Sequence, residues 1–207
     1  MHHLERDMAG YAESARLTAP PGSTWAYTSG NTLILSRIIR DAVGGRTEDV
    51  RRFAQRELFE PLGMRTVTLE FDATGTPVGS TYMFASARDW ARFGLLYLHD
   101  GVIGERRILP EGWVRYSTTP TLATGYGAGF WTNQVAGHIP WSPVSWSIPG
   151  APHDAFFARG MLGQYVVVVP SERLVVARFG VTHGSDGDLE GLGHLLTDTI
   201  RALREPS

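Results

Sequence analysis

Tyr27, Thr28 and Ser29 form the first stretch of the sequence whose residue types could do chemistry. A tyrosine two residues before a serine can relay a proton between a reacting group and a neighbouring hydroxyl. A phenol with an ordinary pKa of about 10 needs a nearby cation to act as a base at neutral pH. The alternative is a turn in which both hydroxyls form local hydrogen bonds ahead of a helix. The residues alone leave both interpretations open.

The composition excludes several nucleophiles. All 19 basic residues are arginine, and the 207 residues contain neither lysine nor cysteine. An arginine stays protonated and cannot serve as a general base as a lysine amine can. No serine stands in a G-x-S-x-G elbow, since Tyr27 and His183 occupy the first glycine position before Ser29 and Ser185. These residues therefore include no recognisable activated nucleophile, neither a thiol nor an S-x-x-K serine.

Two further groups of residues could bind a ligand. His153-Asp154 and the stretch 183–186 carry imidazoles and carboxylates, but their spacing fits no metal signature, so we predict surface loops and no metal or cofactor. The stretch from Arg159 to Gln164 brings glycines to the start of a strand, where a backbone can approach a ligand closely. A plain strand entry or bulge explains it equally well.

The charge and hydropathy of the sequence limit the classes of partner that the protein can bind. The net charge is -2, the basic residues are spread along the chain, and 43% of residues are hydrophobic, which predicts one globular domain over residues 1–207 and no nucleic-acid or anionic membrane surface. No apolar run approaches the roughly 20 residues of a membrane span. The first residues are acidic and lack an apolar core, so they are not a signal peptide, and we predict a cytoplasmic protein.

Helical periodicity marks the elements that must position these residues. Asn31 is a suitable N-cap for a buried helix that ends at Gly44-Gly45, with Leu33, Ile34, Ile38, Ile39 and Ala42 as its inner face. The other predicted helices cover residues 3–17, 47–58, 86–99, a short segment after Pro110, and 188–203.

Strand patterns are clearest near the end of the sequence. Two β-branched runs, 163–169 and 174–180, flank four turn residues and predict an antiparallel hairpin, with 156–159 as a third strand. Residues 66–71 and 126–133 predict further strands, and 135–153, with four prolines, predicts a long ordered loop. Helices beside an antiparallel sheet indicate the α+β class, with the last helix packed across the sheet.

Five stretches in order resemble the serine hydrolases of the class C β-lactamase, penicillin-binding protein and family VIII carboxylesterase group. Within that group they are most similar to the 6-aminohexanoate-dimer hydrolase-like branch. The stretches are "PPGSTWAYTSGNTLILSRII", "FEPLGMRTV", "FASARDWARFGLLYLHDGVIGERRILPEGWV", "YGAGFW" and "FFARGMLGQYVVVVPSERLVVARFG". The resemblance implies a β-lactamase/transpeptidase-like fold: an antiparallel sheet flanked by terminal helices, plus a helical region.

The resemblance also implies a chemistry. In this family a serine in S-x-x-K is acylated, water deacylates it, and the tyrosine of a Y-x-N or Y-x-S motif moves protons with the lysine. Tyr27 matches that tyrosine and Ser29 the third motif residue, which makes them the expected catalytic pair. Ala158-Arg159-Gly160 matches the K-T-G or H-x-G strand motif. Arg159, Gly160, Gly163 and Gln164 are then the expected substrate-binding residues.

Two departures shape the expectation. Ala158 stands where the family has Lys or His, which favours an amide or ester substrate over a β-lactam. The S-x-x-K segment, which precedes the tyrosine motif in the family, is absent from these residues. We therefore expect the C-terminal part of a serine hydrolase, N-terminally incomplete, whose partner is a missing segment or a complementing chain. The alternative is a non-catalytic ligand- or partner-binding module, and a homodimer would cover the exposed faces in either case.

Overall fold

The computed structural model describes residues 5–122, 124–134, 146–183 and 187–205, with the side chains of 187 and 188 left undescribed. The chain divides into two compact units, Met1–Asp89 and Trp90–Ser207. The single domain expected from the sequence stays a prediction.

The first unit is mainly helical. Its helices are α1 (Met8–Glu13), α2 (Ser29–Ala42), α3 (Thr47–Ala54) and α4 (Glu60–Leu62), and a π-helical turn, Gln55–Phe59, joins the last two. Gly63 ends α4 with a positive φ of 68°, which is the usual glycine stop of a helix. A short antiparallel pair, β1 (Thr68–Leu69) and β2 (Met83–Phe84), completes the unit before α5 (Ala87–Leu98) begins.

Helix α2 buries less of its apolar surface than its sequence predicts. Leu33 is fully buried, in a cluster with Met8, Ala9 and Val78. Ile38 and Ile39, however, are 58% and 47% exposed, and Ala42 is also exposed, so the inner face expected from the periodicity is wrong at these positions. The side of α2 toward α1 is fixed by Leu33 and by ion pairs from Arg37 to Asp7 and Glu13.

The second unit is built on a four-stranded antiparallel sheet in the order β5 (Trp131–Thr132), β6 (Phe156–Gly160), β7 (Gln164–Val169) and β8 (Leu174–Arg178). A single 3₁₀ turn, Pro170–Glu172, joins β7 to β8, and Arg173 takes a left-handed conformation to finish it. A small hairpin, β3 (Val102–Ile103) and β4 (Arg106–Arg107), and helix α6 (Trp113–Thr118) precede the sheet, and α7 (Gly187–Arg204) follows it.

Helix α5 packs closely on one face of this sheet. A Cβ at Gly94 would lie 2.5 Å from a methyl of Val175, so only glycine lets the helix come this near. Phe93 and Tyr97 of α5 pack against a buried cluster of Phe130, Phe156 and Val168. Helix α7 buries one stripe of apolar side chains: Leu189, Leu192, Leu196 and Ile200.

The structure confirms the α+β class and the elements of the C-terminal hairpin. The predicted helix over 86–99 appears as α5, and the predicted terminal helix appears as α7. The helix expected over 3–17 is shorter, since α1 ends at Glu13, and the strand expected over 126–133 is reduced to β5 with a bridge from Tyr126 to Trp131. Most of the loop expected over 135–153 lies outside the described residues, which resume at 146.

Candidate active site

Tyr27 lies in the extended segment that leads into α2. Its side chain is 54% exposed, and its ring centroid lies 6.2 Å from that of Trp25. Asn31 holds this segment in place, because its side-chain amide donates to the carbonyl oxygen of Ala26 at 3.3 Å. The phenol is thus presented at the N-terminal end of a 14-residue helix.

Thr28, and not Asn31, is the N-cap of α2. The Thr28 hydroxyl accepts a hydrogen bond from the backbone N–H of Asn31 at 3.4 Å, and Ser29 is the first helical residue. The predicted cap is therefore wrong by three positions. The physical reason is that the backbone leaves the extended conformation at Thr28, with φ of -135° and ψ of 141°, so Asn31 already lies inside the first helical turn.

Near its C-terminal end, strand β6 pairs with β7 but, among the described strands, not with β5. Strand β5 pairs only with Phe156 and Phe157, whereas β7 pairs with all of β6 as far as Gly160. Among the strands that the structure describes, Ala158, Arg159 and Gly160 are therefore paired on one side only. An unpaired strand edge offers N–H and C=O groups to a ligand that lies alongside it.

Arg159 points to the face of the sheet that carries Tyr165. Its Nε donates to the hydroxyl of Tyr165 at 3.0 Å, and its guanidinium carbon lies 4.0 Å from the ring centroid of Trp146. Trp146 stacks in turn on Trp131, with centroids 5.2 Å apart. The guanidinium thus packs against a row of stacked aromatic rings, which fixes its orientation.

Gln164 and Arg178 hold the turn between β6 and β7. The Gln164 amide donates to the carbonyl of Gly180 at 2.7 Å and accepts from the N–H of Gly180 at 3.1 Å. Arg178 donates to the carbonyl of Gly163 and, at 2.7 Å, to the hydroxyl of Thr182. The predicted substrate-binding amide is therefore bonded to the protein's own backbone.

The histidine and aspartate pair at 153–154 has a structural role. His153 contacts the carbonyl oxygen of Gln134 at 3.0 Å, and the Asp154 carboxylate accepts from both the N–H and the hydroxyl of Ser171. In the described part of the chain no three His, Cys, Asp or Glu side chains are grouped as metal ligands would be. Residues 184–186 of the second pattern lie outside the described residues.

The structure groups the predicted site residues in two sets. Tyr27 and Ser29 belong to the first unit, and Arg159, Gly160, Gly163 and Gln164 belong to the second. Sequence reasoning missed Arg178 and Trp146, which fix the second set. No short-range pattern could have found them, because Arg178 reaches Gly163 across 15 positions and is an ordinary strand residue by sequence.

Three grooves of the first unit do not include the predicted site residues. The largest has a volume of about 510 Å³, and the other two have volumes of about 410 and 380 Å³. They lie along α3 and the π-helical turn, with Gln55, Phe59, Phe53 and Val67 among their lining residues. Because neither Tyr27 nor Ser29 lines any of these grooves, the grooves do not bear on the role of either residue.

The fold is that of β-lactamase-like and transpeptidase-like proteins. A putatively assigned 6-aminohexanoate-dimer hydrolase from Bacillus anthracis matches with a TM-score of 0.73 and 24% identity, over 95% of this chain and 48% of that one. A β-lactamase from Mycobacterium bovis matches with a TM-score of 0.68 and 19% identity, over 95% of this chain and 72% of that one. The chain thus spans about half the length of the first of these structures.

A third structure, of a protein assigned as a β-lactamase from Bacteroides dorei, has a TM-score of 0.64 and 16% identity, over 94% of this chain and 63% of that one. A family model described as Beta-lactamase matches residues 2–197. This chain therefore belongs to the β-lactamase family, and the family expected from its sequence is confirmed. No curated protein matched. In the described residues, no helix is long and apolar enough to cross a membrane.

Proposed function

We propose that this chain is part of a serine hydrolase that cleaves amide or ester bonds through a serine acyl-enzyme. The S-x-x-K serine and lysine come from a segment outside these 207 residues. The observation that carries the proposal is the family match over residues 2–197, because it runs through both Tyr27-Thr28-Ser29 and the β6 edge. The similar structures support the same fold.

Each residue set has a part in the proposed reaction. The serine oxygen attacks the substrate carbonyl, the bond to the amine or alcohol breaks, and Tyr27 passes the serine proton to the leaving group together with the lysine. Ser29 supplies a hydroxyl to that proton network. Water then hydrolyses the acyl-enzyme.

We infer a second role for the β6 edge, taken by itself. Backbone N–H groups from Gly160 to Gln164 stabilise the negative charge that develops on the carbonyl oxygen. Arg159 and Gln164 act here by fixing that edge, as their contacts with Tyr165 and Gly180 support.

Labelling of the native gene product with a fluorophosphonate tests this proposal. We expect a labelled species heavier than the 22.7 kDa of this sequence. In that species Tyr27→Phe should lower kcat by about 10²- to 10⁴-fold, the usual share of a proton-transferring group. An unlabelled native product of 22.7 kDa would contradict the proposal.

A second candidate function is a non-catalytic module that keeps the fold to bind a ligand or a partner chain. The complete lack of lysine among the 207 residues favours it, since an arginine cannot act as the general base that the lysine of S-x-x-K provides. The same measurement separates the two candidates. The module is a 22.7 kDa protein that is inert toward the probe, and any labelling of a species of that mass excludes it.

A further inference from the structure

A groove of about 510 Å³ lies in the first unit, between α3 with its π-helical turn and strand β1. Its helical wall carries Arg51, Arg52 and Gln55, and its other wall is formed by residues 67–69. A second groove, of about 410 Å³, shares Gln55 and Val67 with the first, so the two adjoin. We refer to both together as the α3–β1 groove.

The strand wall of this groove belongs to an edge strand. Among the described residues, β1 lies in a sheet of two strands and has its partner, β2, on one edge only. The N–H of Glu70 donates to the carbonyl of Tyr82 at 3.2 Å. Because bonded residues alternate along an antiparallel strand, Thr68 also faces β2, whereas the backbone groups of Val67 and Leu69 point away from it. Such an edge can accept an extended peptide as an added strand.

The helical wall carries a cation, Arg51. Its guanidinium carbon lies 5.2 Å from the ring centroid of Phe71, and within the described residues this guanidinium has no ion pair and no hydrogen bond. Arg52 has one contact, 3.3 Å to a carboxylate oxygen of Asp49, and its side chain is 68% exposed. An arginine carries five N–H donors, so both guanidinium groups retain donors for a further carboxylate.

The π-helical turn, Gln55–Phe59, is the second unusual feature of the helical wall. Turns of this kind are rare inside helices and occur frequently at functional sites. Gln55 and Phe59, the first and last residues of the turn, both line the groove. The wall therefore combines an amide and an aromatic ring with the two arginines.

The charge of the α3–β1 groove favours one kind of occupant. Its charged lining residues are Arg51, Arg52, Arg65, Glu48 and Glu60. Glu60 already accepts a hydrogen bond from the Gln55 amide at 3.3 Å. The remaining charge is positive, and charge complementarity therefore favours an anionic partner.

We propose that the α3–β1 groove binds an extended, acidic segment of a partner protein. The segment adds as a third strand to the outer edge of β1, and one of its carboxylates binds Arg51. From position 48 to position 59 the helical wall runs roughly 16 Å, the length of about five residues of strand. An extended chain contacts the whole of such a groove, whereas a compact carboxylate fills one end of it. This proposal goes beyond the proposed hydrolase and does not depend on it.

Three pentapeptides and one small molecule test the proposal on the 207-residue chain. The first peptide is N-acetyl-Thr-Glu-Val-Glu-Thr-amide, and the second has glutamine at both glutamate positions. The third keeps the glutamates but is N-methylated at its second and third residues, which blocks both edges of the peptide because consecutive N–H groups point to opposite sides. Glutarate is a dicarboxylate without a peptide backbone. The first peptide should bind at least about fivefold more tightly than each of the other three, and should weaken as salt is raised.

Amide NMR of the wild-type chain locates the binding. Val67 and Leu69 should show the largest chemical-shift changes on addition of the first peptide. Their amide hydrogens should also exchange about tenfold more slowly or less, because they gain hydrogen-bond acceptors in the added strand. These measurements and the salt dependence need no variant.

Arg51→Gln and Arg56→Gln form a matched pair of variants. Both remove one positive charge from the same helical segment, but Arg56 lines a different groove and its side chain is 64% exposed. Arg51→Gln should reduce the preference for the glutamate peptide over the glutamine peptide to about twofold or less, since it removes the cation that binds the carboxylate. Arg56→Gln should keep the wild-type preference. Amide spectra of the free variants check that both are folded.

Several results would overturn the proposal. Equal binding of the glutamate and glutamine peptides would remove the acidic partner, and equal losses in the two variants would remove the role of Arg51. Binding of glutarate or of the N-methylated peptide as tight as that of the first peptide would assign the groove to a small carboxylate. No shift at Val67 and Leu69 up to about 10 mM peptide would exclude the added strand. None of these results changes the fluorophosphonate test of the proposed function, which depends on a serine.

Discussion

Helix α2 in the first unit and strand β7 in the second are both rich in apolar residues, yet they bury different shares of them. Val167, Val168 and Val169 of β7 are fully buried. In α2, Leu33 is fully buried while Leu35 is 59% exposed only two positions later. A central strand is enclosed by its neighbours on both edges, whereas a helix buries only the stripe against which something packs.

The two regions also differ in how polar groups contribute. Asp89 is 1% exposed in the first unit, and its carboxylate accepts from the N–H groups of Arg65 and Thr66 and from the Thr66 hydroxyl. Asp72 accepts in the same way from Met8, Thr74 and Thr76. The first unit therefore relies on a few carboxylates that organise turns, and the sheet relies on apolar packing.

Truncation of a sheet residue should have the largest effect on stability. Phe157 is fully buried and its ring lies 6.0 Å from that of Tyr165. Phe157→Ala should lower the free energy of unfolding by about 4 kcal/mol, measured by urea denaturation. Phe179→Ala is the matched control, because that ring is 41% exposed, and it should cost less than about 1 kcal/mol. Similar costs in both variants would contradict an apolar sheet core at Phe157.

Two leucines of α2 provide a sharper comparison within one helix. Leu33→Ala should cost about 3 kcal/mol, since it opens a cavity beside Met8 and Val78. Leu35→Ala, at a 59% exposed position, should change stability by no more than about 0.5 kcal/mol. Hydrogen exchange of the α2 amides measures the change in stability in both variants. A large loss in Leu35→Ala would mean that another copy or segment covers that face in solution.

The same contrast explains which elements could be predicted from sequence. The run from Val166 to Val169 is β-branched throughout, and only a buried strand suits it, so β7 follows from local pattern. The apolar residues of α2, at positions 33–35, 38 and 39, lie on more than one face of the helix. Periodicity alone cannot choose among such faces, because the choice depends on which side other elements contact.

The residues of the candidate site also divide into those that the sequence predicts and those that it does not. The Tyr27 turn and the glycines at 160 and 163 could be found from residue types and from the family resemblance. The support of the turn could not, because Arg178 and Gln164 act through backbone carbonyls, which carry no sequence signal. The stacking of Arg159 on Trp146 likewise joins residues that no periodicity relates.

A glycine variant tests whether the turn beside β6 is as rigid as its contacts indicate. Gly163 has a φ of 85°, and a Cβ there would lie 2.7 Å from a guanidinium nitrogen of Arg178. Gly163→Ala should therefore cost about 1–3 kcal/mol and reduce amide protection at Gly180. Gly191→Ala is the control, since a Cβ there meets nothing within 4 Å and α7 should gain up to about 1 kcal/mol. Equal amide protection in wild type and Gly163→Ala would show that the Arg178 contact does not restrain the turn.

The smallest expected effect, a pH dependence, tests the polar support of the first unit. Burial alone would raise the pKa of Asp72, but hydrogen bonds from Thr74, Thr76 and Met8 outweigh it and hold that pKa below its usual value. The folded state then binds fewer protons than the unfolded state as the pH falls below about 4. The stabilisation is present above the unfolded pKa and is lost as the pH falls through the folded one.

Asp72→Asn should flatten this acid dependence by less than about 1 kcal/mol, since solvent screens a partly exposed carboxylate. Urea denaturation of wild type and Asp72→Asn between pH 5 and 2, roughly the window of an aspartate titration, measures this difference in slope. Identical slopes in wild type and Asp72→Asn would mean that the first unit does not depend on this carboxylate.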